Sequence, residues 1–145
     1  MHPAFAAVSG TDLEQEVFFA KRLAGLQLVG IVDLVGEGFV LDYKTDAEMH
    51  PDEHRFQLWA YATAMEKPTA YIAYLRTGEL YEIDPAKLAE IGAEAVELCA
   101  AIAAGNYEAT PSQSVCAVCQ YSAICEFAAK DEQTQIEVLA VPATS

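Results

Sequence analysis

Asp33, Asp42 and Lys44 interrupt GIVDLVGEGFVLDYKT, residues 30 to 45, a stretch that otherwise reads as core strands. Side chains alternate along a strand, so Asp42 and Lys44 share one face while Leu41 and Tyr43 take the other. A two-residue turn at Glu37-Gly38 would set Asp33 opposite Asp42 with β-carbons roughly 5 Å apart, and a three-residue turn would flip it away. Opposed carboxylates repel each other, but a divalent cation reverses the sign of that argument. Mg²⁺ or Mn²⁺ takes oxygen ligands and usually keeps several waters, so two carboxylates plus a main-chain carbonyl make an open site. Lys44, one pleat along, would then orient an attacking water or a phosphate oxygen, which suits metal-assisted phosphodiester hydrolysis. The bland alternative makes Asp33 and Lys44 strand-end surface residues, with Asp42 and Lys44 as an ordinary ion pair. Val29, Ile31, Val32, Leu34, Val40 and Leu41 leave little polar surface on either face, which weighs against it.

The elements around these residues follow from pattern. EQEVFFAKRL (14 to 23), LQLVGIVDLV and FVLDYKT (39 to 45) read as three strands of an antiparallel meander, with turns at Gly25 and at Gly36 to Gly38. A helix is expected from about Pro51 to Lys67, with Asp52 and Glu53 in its first turn, where the helix dipole favours anions, and with Pro68 beyond its end. TAYIAYLRTGELYEID reads as a hairpin around Thr77-Gly78. In the second helix Leu88, Ile91, Ala95, Leu98 and Ile102 recur at helical spacing as a core stripe, and Gly105-Asn106 is its stop signal. The expected architecture is α+β: a central mixed sheet containing the meander, flanked by helices, with a C-terminal cysteine-rich segment. One domain is expected over residues 1 to 130, with its core at about 14 to 110 and the cysteine segment at 111 to 127. Residues 1 to 12 read as a loose lead-in and 131 to 145 as a flexible tail.

The composition bounds the rest. The 145 residues, 53% hydrophobic and 21% charged, place the chain among folded globular proteins. Neither an apolar run of about 18 residues nor a leader at Met1 is evident, so no membrane association and a cytoplasmic location are expected. Eight Lys+Arg against 22 Asp+Glu give −14, a balance that repels phosphate backbones. If the substrate is nucleic acid, something besides bulk charge must supply the affinity.

The residues in order now resemble a known pattern. GIVD, then LDYKTD, then QLWAY on a helix, is similar to the PD-(D/E)XK nuclease superfamily, and within it to the RecB-like branch that includes AddB-type and CRISPR-associated exonucleases. The resemblance covers roughly residues 14 to 127 and implies a restriction-endonuclease-like core. It implies that Asp33 and Asp42 hold Mg²⁺ or Mn²⁺, that the Tyr43 carbonyl completes the coordination, and that Lys44 is the catalytic lysine. Gln57 and Tyr61, at i and i+4 on one helical face with His54 three residues earlier, can reach toward one site. In the family the glutamine supports the active site and the tyrosine lies near the DNA. Glu16 resembles the first-strand E-x-x-F element, as a supporting or metal-facing acid or as a strand-end surface residue. Relatives usually carry a helix before the first strand with a histidine or acid for the metal, and none is expected in this chain. The implied activity is a metal-dependent deoxyribonuclease, a single-strand exonuclease partnered with a helicase domain or subunit in DNA repair and recombination. A non-catalytic DNA-binding or structural module with the same fold is the alternative, and a small cysteine-metal protein is a third reading.

Cys116-x2-Cys119-x5-Cys125 favours a metal over disulfides. Zinc and iron–sulfur both accept thiolates, so spacing alone leaves the choice open. The resemblance implies a structural [4Fe–4S] cluster held by Cys116, Cys119 and Cys125, with a fourth ligand missing from this chain. Cys99 falls on the apolar helix stripe and reads as a core cysteine.

Overall fold

The computed structural model describes residue 8, residues 12 to 23 and residues 25 to 129. The tail expected over 131 to 145, and most of the lead-in expected over 1 to 12, lie outside them. The chain divides into two compact units, Met1–Asn106 and Tyr107–Ser145.

The first unit is built on a five-stranded sheet ordered β1-β2-β3-β4-β5, from β1 (Glu14–Leu23), β2 (Leu26–Val35), β3 (Phe39–Lys44), β4 (Thr69–Tyr74) and β5 (Glu79–Ile83). Neighbouring strands run antiparallel except β3 and β4, which are parallel. Parallel neighbours need a long crossover, and helix α1 (Pro51–Met65) supplies it. Helix α2 (Pro85–Ala103) follows β5, capped by the Asp84 carboxylate, which accepts the Lys87 N–H at 2.8 Å. This is the expected α+β order.

Two cores lie on opposite faces of the sheet. Val32, Val40, Ala70, Ile72 and Tyr74 pack with Leu58, Trp59, Tyr61 and Ala62 of α1 and with Leu88, Ile91 and Ala95 of α2. Leu34, Leu41, Tyr71 and Ala73 form a smaller cluster with Val8. Because β4 contributes to both, its sequence TAYIAY is apolar without alternation.

Two expectations about burial need correction. Val29 and Ile31 are 62% and 53% exposed, so one face of the β1–β2 hairpin is open rather than core. The buried stripe of α2 is Leu88, Ile91, Ala95 and Cys99, while Leu98 and Ile102 are exposed. At 3.6 residues per turn the position below Ala95 is Cys99, and Leu98 is rotated by about 100° from it.

Two glycines make close approaches possible. A β-carbon on Gly30 would lie 2.8 Å from the Phe19 ring, its cross-strand partner, and 3.5 Å from Tyr61. One on Gly92 of α2 would lie 2.6 Å from Trp59 Nε1 of α1. Gly30 thereby leaves room for the edge-to-face pair of Phe19 and Tyr61, 5.8 Å between centroids.

The second unit contains one short helix among its described residues, α3 (Gln113–Val118), whose cap is Ser112 Oγ accepting the Val115 N–H at 3.2 Å. No helix among the described residues is long and apolar enough to cross a membrane.

Candidate active site

The turn between β2 and β3 is the two-residue form, closed by the Gly36 N–H donating to Phe39 O at 2.9 Å. It puts Leu34 opposite Leu41 and Val35 opposite Val40. Pairing stops there, one step short of Asp33 and Asp42. On the other side of β2 the ladder with β1 also skips Asp33, together with Glu16 opposite it. Glu16 has φ +53°, a left-handed backbone that a non-glycine residue rarely adopts. Val32 belongs to the α1-facing core and Leu34 to the opposite one, although residues two apart in a regular strand share a face. The alternation therefore breaks at Asp33. Its carboxylate takes over as ladder acceptor, with Oδ2 receiving the Tyr43 N–H at 2.8 Å.

Asp42, 3% exposed, is the buried charged residue of the core. Lys44 Nζ lies 2.7 Å from its Oδ2. That contact is a close, charge-assisted pair in a buried setting. Oδ1 accepts from Gln57 Nε2 at 3.1 Å. The same amide nitrogen donates to the Tyr61 hydroxyl oxygen at 2.8 Å, and Gln57 Oε1 accepts from Lys44 Nζ at 3.1 Å. Gln57 can lie only this way round, because the flipped amide would aim its N–H groups at an ammonium. Burial raises the pKa of Asp42 first and foremost. Lys44 pulls it back by hydrogen bonding and charge, the negative charge of Asp33 adds to the rise, and His54 lowers it.

The sequence-derived residues thus fall into two adjoining groups. Asp42, Lys44, Gln57 and Tyr61 form one hydrogen-bonded network under α1. Asp33, Glu16 and Tyr43 line a hollow of about 380 Å³ together with Gln15. The Tyr43 N–H bonds Asp33 within the second group, and Tyr43 stands in β3 between Asp42 and Lys44 of the first. His54 Nε2 faces the Asp46 carboxylate at 3.4 Å.

Sequence reasoning missed Tyr74, fully buried beside Lys44 in the parallel register. Burial is the leading cause that raises its pKa. Its place in an apolar strand gave no sign of proximity to the site. Asp46 was also missed, although it stands two residues after Lys44.

Hard oxygen donors, among them a buried carboxylate, suit a small divalent cation. The available donors are Asp33, Asp42 and the Tyr43 carbonyl. Among the described residues no three His, Cys, Asp or Glu side chains converge to hold a metal. Cys116, Cys119 and Cys125 are free thiols, and Cys116 Sγ accepts from the Ala129 N–H at 3.4 Å.

The chain matches the family model of the PD-(D/E)XK nuclease superfamily over residues 4–126. Among solved structures it is similar to the one described as "Crystal structure of SSO0001", with 19% identity and a TM-score of 0.52 over 79% of this chain. The match spans 60% of that chain, and at this identity it shows the fold alone. No curated protein matches.

Proposed function

The chain belongs to the PD-(D/E)XK nuclease superfamily, and from that premise we propose that it is a metal-dependent deoxyribonuclease of the RecB-like type. The observation that carries the reading is the network around Asp42, in which one glutamine holds the lysine, the buried carboxylate and the tyrosine at once. An ordinary surface ion pair needs no such support. Burying it is costly, and function is the simplest reason to retain it.

In this reading Asp33, Asp42 and the Tyr43 carbonyl would hold Mg²⁺ or Mn²⁺. When bound, the cation would neutralise charge on the scissile phosphate. Lys44, fixed by Gln57 Oε1 and Asp42, presents its remaining donors to a water or a phosphate oxygen. Gln57 keeps both partners in register, and Tyr61 anchors Gln57 while resting edge-on against Phe19. Glu16, across the strand pair from Asp33, would be a further acid facing the cation.

The substrate is single-stranded DNA, cut as an exonuclease would cut it and delivered by a helicase domain or subunit in repair or recombination. The net charge of −14 supports delivery, because the domain alone should hold a polyanion weakly at physiological salt. Cys116, Cys119 and Cys125 would supply three thiolates to the structural [4Fe–4S] cluster that the resemblance implied.

The test is Mg²⁺- or Mn²⁺-dependent degradation of single-stranded DNA by wild type and by Lys44→Ala. Loss of at least about 100-fold in the variant is expected for a group acting on the reacting phosphate. Equal activity in both would remove Lys44 from the mechanism. The absence of a converging three-residue ligand set among the described residues favours a second reading, a non-catalytic module with the nuclease fold. Calorimetric titration with Mn²⁺ separates the two, because the module would bind no ion while folded.

A further inference from the structure

The hollow beside Asp33 has a chemistry of its own. Its walls are Gln15, Glu16, Asp33 and Tyr43, and its volume of about 380 Å³ falls within the usual range for small-molecule sites. Two of the four walls are carboxylates, one of them the Asp33 that would hold the cation, so away from that cation the hollow disfavours a phosphate and leaves room for a neutral group. Tyr43 is 42% exposed and offers a ring face, and Gln15 offers an amide able to donate and to accept. Tyr43 is also held in place, because its N–H is tied to Asp33 Oδ2 at 2.8 Å and its chain neighbours Asp42 and Lys44 belong to the buried network. An exposed aromatic on a fixed stretch of strand, opening onto a cavity next to the reacting group, is a stacking platform.

We propose that Tyr43 stacks a nucleobase of a single-stranded substrate in this hollow, beside the phosphate to be cut. The inference rests on the nuclease reading and deepens it by naming what the site reads. Stacking is independent of charge and tolerant of sequence, which suits a protein whose overall charge opposes nucleic acid binding. It also selects for single strands, since a base inside a duplex is already stacked on both sides and must be extruded before it can meet the ring.

The experiment compares wild type, Tyr43→Phe and Tyr43→Ala on a thymidine oligonucleotide and on the same strand with abasic sugars. Steady-state KM and kcat are measured in Mn²⁺, and binding is followed by fluorescence anisotropy in Ca²⁺. Tyr43→Ala removes the ring and is expected to raise the anisotropy Kd about tenfold for the thymidine strand. Tyr43→Phe retains the ring and should match wild type in anisotropy Kd, and the abasic strand should give the three proteins the same Kd. Cleavage by wild type with Tyr43→Ala unchanged on the thymidine strand, or impaired equally on both strands, overturns the stacking role and leaves the nuclease reading standing. A wild type that cleaves and binds neither strand overturns both.

Discussion

Replacing Lys44 with Met is the sharpest physical test of the Asp42 network, because it keeps the apolar stem and removes only the ammonium. Asp42 is then a carboxylate 3% exposed whose remaining hydrogen-bonding partner is the neutral Gln57. Breaking a buried pair by removing one partner typically costs about 3–5 kcal/mol. The structure supplies a ceiling, because an unpaired acid can escape by taking up a proton. From an ordinary value of 3.8 to pH 7 is about three units, and at about 1.4 kcal/mol per unit the penalty stops near 4 kcal/mol. Asp42 already bears part of this cost, since its pKa is raised even with Lys44 beside it. The expected loss for Lys44→Met in metal-free protein at pH 7 is therefore about 2–4 kcal/mol. At pH 4.5 the same ceiling falls to about 1 kcal/mol. Urea denaturation of variant and wild type at both pH values measures this directly. A loss that is equal at pH 4.5 and pH 7, or undetectable at pH 7, would refute the view that Lys44 compensates a buried charge.

The raised pKa of Asp42 has a linkage consequence for the wild type: between 3.8 and its folded value the native state binds the extra proton, so metal-free stability should fall as pH rises through that window. Thermal melts from pH 4 to 7 in EDTA would show it, and Mn²⁺ should reverse it. Gly30→Ala forces a β-carbon to within 2.8 Å of Phe19, and should cost about 1–3 kcal/mol in denaturant midpoints while disturbing Tyr61. Asp84→Ala removes the α2 cap bond to the Lys87 N–H and should lower stability by about 1 kcal/mol without touching the site.

What the sequence determined by itself was local. Strand alternation put Asp42 and Lys44 on one face, and helical spacing aligned Gln57 with Tyr61. The turn at Glu37-Gly38 was readable too, though not its length, because each of these depends on residues within a few positions of one another. The family motifs rest on the same short-range order. Only the tertiary structure decided what these residues do to each other. The β2–β3 ladder ends at Leu34–Leu41, and the break in alternation at Asp33 answers the left-handed backbone of Glu16 on a neighbouring strand. Gly30 matters because Phe19 and Tyr61, from another strand and a helix, meet over it. The buried place of Tyr74 beside Lys44, and the exposure of Val29 and Ile31, likewise depend on which elements cover which face. Those relations join residues far apart in the chain through packing and desolvation, and neither is a function of spacing along it.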